Sequence, residues 1–115
     1  MTDEPIIRFT DDGYPTPESL ERLRKELESG DYGRAIDAFY SALRSNHFGW
    51  CGPDRVEVRG EMLDVWAYHT GGWSGNEQII HELQRSYLWN IFLQRYDAGG
   101  HYYFDPPEKW ADIGS

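Results

Sequence analysis

Trp66-Ala-Tyr-His-Thr-Gly-Gly-Trp-Ser-Gly-Asn-Glu77 is the stretch that decides the fold, because within it a strand turns directly into a helix. Residues 65–70 suit a pleated strand, and the Gly71-Gly72 pair interrupts it because glycine reaches backbone angles closed to other residues. Ser74 is expected to cap the following helix, with Glu77 completing a capping box three residues later. The stretch therefore predicts a strand, an abrupt turn and a capped helix.

The chain after this turn is predicted to be one long helix followed by a strand. Apolar residues continue on more than one helical face from Ile79 onward, so a central helix over residues 74–96 should be buried on two sides. Gly99 and Gly100 are expected to end that helix and to lead into a strand over residues 101–104. Short connections at both ends predict a right-handed crossover with parallel strands, which places His69 and His101 at opposite ends of the sheet.

Two further helices are predicted on the N-terminal side. Thr16-Pro17-Glu18 is a typical helix start, because threonine caps and proline loses nothing at the first helical position. Gly30 ends this helix and Asp31 caps the next, so the short link predicts a helical hairpin. Residues 1–15 are predicted to be an irregular arm and residues 106–115 a tail, within a single domain over residues 1–115.

A β-hairpin is predicted between the helical hairpin and the turn. Apolar and polar residues alternate on both sides of Gly60-Glu61, which suits a two-residue turn that would place Val58 opposite Leu63 and Glu57 opposite Asp64. The valine side, with Ala67 and His69, is the predicted apolar face, and Trp66 and Tyr68 fall on the other, mixed face. The whole pattern predicts an α+β fold with a helical hairpin, a small three-stranded sheet and one long central helix.

The segment before the β-hairpin is predicted to be an aromatic loop. Residues 46–53 contain too many glycine and proline breakers to continue the second helix. The loop carries Phe48 and Trp50, which either plug the edge of the core or line a pocket.

Composition and charge favour an acidic protein that binds proteins rather than nucleic acids. The 115 residues carry twenty acidic and eleven basic side chains and a formal net charge of −9. Such a surface repels phosphate backbones and favours a partner with a basic surface. The alternative is that the acidity only keeps a small protein soluble. No apolar run is long enough to cross a bilayer, and the first residues lack the features of a signal peptide, so a cytoplasmic location is expected. The single cysteine, Cys51, excludes an internal disulfide.

The Gly-Gly-Trp-Ser-Gly turn is the predicted ligand site. Free amides at a helix start can hold a phosphate or carboxylate, and a tryptophan ring can stack on a planar ligand. The candidate ligand-binding residues are Trp66, Tyr68, Gly71, Gly72, Trp73, Ser74, Gly75, Asn76, Glu77, His101 and Tyr103. The alternative is that the turn serves only the fold.

The sequence gives weak candidates for catalysis and predicts neither a metal site nor a cofactor. Glu77, His69 and His101 have the chemistry of acid-base groups, but no spacing among them matches a known catalytic or metal-binding motif. Antiparallel pairing of the two strands would strengthen a metal hypothesis, because it brings His69 towards His101.

Thr70-Gly-Gly-Trp-Ser-Gly-Asn-Glu77, followed by Gly99-Gly-His-Tyr-Tyr-Phe104, resembles a group of short uncharacterised proteins of bacteriophages and prophages. The resemblance implies the cytoplasm of a bacterial host and an accessory role, for example as an inhibitor of host defence. The leading prediction is a non-enzymatic binding protein. Its ligand is either a small planar or anionic molecule at the turn or a host protein that meets an acidic surface. The alternative is a small hydrolase or transferase that uses Glu77 and a histidine.

Overall fold

A computed structural model describes residues 5–110 and confirms the α+β class. The helices are α1 (Pro17–Leu27), α2 (Tyr32–Arg44), α3 (Ser74–Gln84) and α4 (Leu88–Phe92). The strands are β1 (Trp50–Val58), β2 (Glu61–His69), β3 (Leu93–Asp97) and β4 (His101–Phe104), and a 3₁₀ turn covers Pro107–Trp110. Residues 1–4 of the predicted arm and residues 111–115 of the predicted tail lie outside the described residues.

The two N-terminal helices begin where the sequence predicts. The Thr16 hydroxyl accepts a hydrogen bond from the Ser19 amide at 3.2 Å, and the Asp31 carboxylate accepts one from the Arg34 amide at 3.1 Å. Each contact satisfies an amide that the first helical turn leaves free. The two helices pack against each other and supply much of the main core, so the predicted helical pair is present.

Within residues 5–110 the sheet has four antiparallel strands in the order β1-β2-β4-β3, so the predicted three strands and parallel crossover are wrong. The Gly99-Gly100 pair, with φ of 101° and 87°, turns β3 into β4 and does not end a helix. Glycine is common both at the end of a helix and in a hairpin turn, so the sequence pattern alone did not distinguish the two. As a result His69 is the direct cross-strand partner of His101.

The predicted central helix over residues 74–96 is also wrong, because three elements occupy that segment. α3 ends at Gln84, where the amides of Arg85 and Ser86 bond to carbonyls three residues back and tighten the last turn. After α4 the chain becomes extended, and the Phe92 carbonyl accepts the Asp105 amide at 2.8 Å. A buried apolar run of this length fits a helix or a strand equally well, so periodicity misled the prediction.

The β1-β2 hairpin turns at Arg59-Gly60, one residue earlier than predicted. Both residues have positive φ, 52° and 85°, as a type I′ turn requires. Val56 therefore pairs with Leu63, and the predicted pairing of Glu57 with Asp64 is wrong. Because the register differs by two residues, each side chain keeps its predicted face.

The helices cover the sheet face that was predicted to be mixed. Tyr68 and Phe104 are fully buried there against Phe39 and Phe92. The valine face forms a smaller second cluster around Val65. Aromatic side chains bury more apolar area than valines, which explains why their face received the helices.

Candidate functional site

The turn between β2 and α3 caps the helix differently from the prediction. The N-cap residue is Trp73, whose side chain makes no capping hydrogen bond, while its carbonyl accepts the amides of Asn76 and Glu77. Ser74 is the first helical residue, and its hydroxyl lies 3.2 Å from that of Tyr14. The predicted capping box of Ser74 and Glu77 is therefore wrong.

Asn76 joins the turn to the loop before β1. Its side chain is 0% exposed, and Nδ2 lies 2.6 Å from the His47 carbonyl, 2.9 Å from the Thr70 carbonyl and 3.1 Å from Asn46 Oδ1. Oδ1 accepts the His47 amide at 3.0 Å. One buried amide thus satisfies backbone groups of two segments at once, which fixes the loop on the turn.

Two glycines of the motif are required by close backbone contacts. A Cβ at Gly71, where φ is 66°, would lie 2.6 Å from the Phe48 carbonyl oxygen. A Cβ at Gly75 would lie 2.6 Å from the Gly13 carbonyl oxygen. These glycines allow the turn to touch both the loop before β1 and the turn before α1.

Trp73 is half-buried between aromatic neighbours. Its Nε1 donates to the Gly13 carbonyl at 2.5 Å. Its ring lies 5.0 Å from that of Tyr14 and 5.1 Å, edge to face, from that of Phe48. The indole is therefore engaged in contacts within the protein at the place where the sequence predicts a planar ligand.

Phe48 is displayed on the surface by a strained backbone. Its φ is +65°, which is unusual for a bulky residue, and its side chain is 71% exposed. Nearby, Trp50 is 48% exposed and stacks on His69 with ring centroids 5.3 Å apart. We refer to the contacting rings of Tyr14, Phe48 and Trp73, together with Trp50 two residues after Phe48, as the aromatic surface.

His69 and His101 face each other on the sheet. Their Nδ1 atoms are 2.8 Å apart and their rings are tilted by 64°. Burial and the nearby His101 lower the pKa of His69, while Asp54 opposes this effect. A contact of this length needs a proton on one Nδ1 and a lone pair on the other.

The other candidate residues lie apart from the aromatic surface. Tyr68 is fully buried, its hydroxyl lies 3.4 Å from the Ser45 carbonyl, and burial raises its pKa. Trp66 is half-buried on the helix side, and its Nε1 is the one buried side-chain nitrogen or oxygen among the described residues without a hydrogen-bond partner. Tyr103 lies beneath the guanidinium of Arg95 on the valine face.

Of the three catalytic candidates, the two histidines meet but Glu77 lies apart from them. Glu77 is exposed on α3, in the helix layer, whereas His69 and His101 share the opposite face of the sheet with Tyr103. Across residues 5–110, no group of three or more His, Cys, Asp or Glu side chains is arranged to hold a metal ion. The structure therefore supplies a histidine pair without an adjacent Glu77.

A groove beside α1 also lies apart from the turn. It encloses about 470 Å³ between α1 and the α3–α4 junction, with Leu27, Tyr32, Arg85 and Tyr87 among its walls. A shallower depression of about 370 Å³ includes Ser74, Glu77 and His81 but not Trp73. Neither concavity contains the tryptophan that the sequence singles out.

The prediction missed the residues that complete this region. The turn is contacted by Asn46, Gly13 and Tyr14, which lie 30 to 60 residues from their partners in the chain, as the pairs Asn46–Asn76 and Gly13–Trp73 show. β1 begins at Trp50, so the predicted loop over residues 46–53 is shorter than expected. The sequence signal for these contacts was the presence of Gly71 and Gly75, because each glycine lies at a close backbone contact.

Comparisons with protein-family models, curated proteins and solved structures found no match. In the described part of the chain, no helix combines the length and hydropathy that a bilayer crossing requires. Function must therefore be inferred from the geometry of the chain itself.

Proposed function

We propose that this protein is a non-enzymatic accessory protein that binds a partner protein through the aromatic surface. The observation that carries the proposal is Phe48, a large apolar side chain that is 71% exposed at a φ of +65°. Such a backbone costs about 1–3 kcal/mol, and strain of this kind is concentrated at functional sites. Exposed aromatic side chains are also the residues that dominate binding energy at protein interfaces.

The loop that carries Phe48 is held ready for binding. The Asn76 amide bonds both the backbone N–H and the backbone C=O of His47, and the Trp73 and His47 rings pack against the Phe48 ring at steep angles. A side chain that is already ordered loses little entropy when a partner docks. This supports a role for the turn motif as the support of a binding loop.

The charge of the protein indicates the chemistry of the partner. Asp11 and Asp12 are exposed in the turn that also provides the Gly13 carbonyl to Trp73. The chain as a whole has a net charge of −9. We therefore expect the partner to offer an apolar pocket for Phe48 with lysine or arginine around its rim.

The resemblance to phage and prophage proteins extends this proposal to a host protein as the partner. Inhibition of a host defence factor is one role that such binding would serve. The small-ligand version is less well supported, because Tyr14, Phe48 and Gly13 already contact the Trp73 indole. The hydrolase or transferase alternative is also less well supported, since Glu77 lies away from the histidine pair.

Affinity capture followed by measurement with the purified partner tests the proposal. The bait is used as wild type, Phe48→Gly, Trp50→Ala and the control Met62→Ala, which removes a 56% exposed side chain on β2. Glycine at position 48 removes the ring and suits the positive φ, so the fold should be retained. Circular dichroism and thermal unfolding check each variant.

We expect Phe48→Gly and Trp50→Ala to lose the captured protein, and Met62→Ala to retain it. Each of the two losses should correspond to about 2 kcal/mol or more of binding free energy. Folded Phe48→Gly and Trp50→Ala baits that retain the partner at wild-type affinity would exclude the aromatic surface as the binding site.

A further inference from the structure

We propose that His69 and His101 bind a divalent transition-metal ion of the Zn²⁺, Ni²⁺ or Cu²⁺ type on the sheet face opposite the helices. The two residues are direct partners on the antiparallel strands β2 and β4. Their Nδ1 atoms converge to 2.8 Å, with ring centroids 4.9 Å apart. Two converging imidazole nitrogens are the donor set that these ions prefer.

The separation of the two nitrogens is close to what one shared ion needs. Zinc binds imidazole nitrogen at about 2.0–2.1 Å, so two nitrogens on one tetrahedral ion lie about 3.3 Å apart. The observed 2.8 Å must therefore open by about 0.5 Å, which small rotations of two half-buried rings provide. Both backbones are fixed by sheet pairing, so the ion meets a nearly formed site.

The protonation states of the two rings are compatible with binding. Without metal, one neutral ring carries its proton on Nδ1 and donates to the Nδ1 lone pair of the other. When the ion binds, both Nδ1 lone pairs coordinate it, and the displaced proton passes through water to Nε2 of the same ring. Two neutral rings thus release no proton, and any protonated ring releases one. Burial of His69 favours its neutral form.

The neighbouring strands add negative charge to the proposed site. Asp97 on β3 is the direct strand partner of His101, and Asp54 on β1 lies close enough to influence His69. Arg95 holds the Asp97 carboxylate at 2.9 Å, so this charge is partly compensated. Because the described residues contain no metal-binding group of three, water completes the coordination and the site stays open.

Trp50 gives the site a built-in reporter. Its ring stacks on His69 at 5.3 Å and an angle of 25°. A paramagnetic Cu²⁺ ion bound at His69 should quench the fluorescence of this tryptophan. The site is inferred from the histidine geometry alone and does not depend on the partner proposed above.

Calorimetric titration of the protein without an affinity tag tests the site, using Zn²⁺, Ni²⁺ and Mg²⁺ salts. The variants are His69→Gln, His101→Gln and the matched control His81→Gln, which changes an exposed histidine on α3. We expect one ion per chain for wild type and His81→Gln, and at least about tenfold weaker affinity for the other two variants. Mg²⁺, which prefers oxygen ligands, should not bind.

Nitrogen NMR of the wild-type histidine rings decides the location even if a variant does not fold. Zn²⁺ should shift both Nδ1 resonances of His69 and His101 and leave those of His47 and His81 unchanged. The proposal is overturned if wild type shows no saturable binding of Zn²⁺ or Ni²⁺. It is equally overturned if the shifts fall on His47 or His81, or if folded His69→Gln and His101→Gln variants bind as wild type does.

Discussion

At the scale of single residues, Asn76 is the residue whose side chain joins the turn before α3 to the loop before β1. Its amide bonds the backbone N–H and the backbone C=O of His47 and also the Thr70 carbonyl, from a position that solvent does not reach. A buried amide of this kind satisfies donors and acceptors that would otherwise cost free energy. Through His47, the buried Asn76 side chain holds the loop that exposes the Phe48 ring.

Asn76→Asp tests this role. Aspartate keeps the shape of the side chain but loses the donors, so a carboxylate would face the His47 and Thr70 carbonyls without water. We expect the free energy of unfolding to fall by about 3 kcal/mol or more in denaturant titration. The control Asn90→Asp, on the exposed face of α4, should change it by about 0.5 kcal/mol or less. Similar small effects at both positions would show that the network does not stabilise the fold.

At the scale of elements, the four-stranded sheet results from two tight hairpins, each built on positive φ. The β3-β4 hairpin uses two glycines, whereas the β1-β2 hairpin places Arg59 at a φ of 52° beside Gly60. An arginine there carries the cost of the left-handed region that asparagine or glycine largely avoids. The β1-β2 hairpin therefore forms although Arg59 is an unfavourable residue for its turn.

Arg59→Asn should stabilise the protein. Asparagine followed by glycine is the preferred pair for a type I′ turn, so the free energy of unfolding should rise by about 0.5–1 kcal/mol. Arg59→Val, which places a β-branched residue at the same φ, should lower it. Equilibrium unfolding in urea measures both changes. If Arg59→Asn proves destabilising, the Arg59-Gly60 turn is not the one present in solution.

At the scale of the whole molecule, the proposed binding function combines the acidity of the chain with the aromatic surface. The chain carries twenty carboxylates and eleven basic side chains, and Phe48 and Trp50 are exposed. In the proposed function, the charge would attract a basic partner over distance and the two rings would supply contact area. Charge of this kind acts mainly on the rate of association, and buried aromatic contacts act mainly on dissociation.

Association with the captured partner should slow steeply with salt. Raising NaCl from about 0.1 M to about 1 M shortens the Debye length from about 10 Å to about 3 Å, which screens the acidic surface. We expect the association rate constant to fall by about tenfold or more while the dissociation rate changes little, as surface plasmon resonance can measure. A rate constant independent of salt would argue against a basic partner surface.

The sequence by itself determined the local features of this chain. Thr16 and Asp31 start their helices as predicted, because a capping hydrogen bond spans only three residues. The faces of the β1-β2 hairpin were also predictable, since side chains alternate regardless of a two-residue shift. The Gly71-Gly72 pair marked the end of β2 correctly, although the close contact of Gly71 with Phe48 was not visible.

Only the tertiary structure decided the rest, because those features depend on contacts between distant segments. Residues 88–97 fit a helix or a strand, and pairing of β3 with β4 settled the choice in favour of a short helix and a strand. The same pairing made β2 and β4 antiparallel and placed His69 beside His101. Phe48 is exposed because Asn76, 28 residues away, holds its loop, and no local pattern encodes that contact.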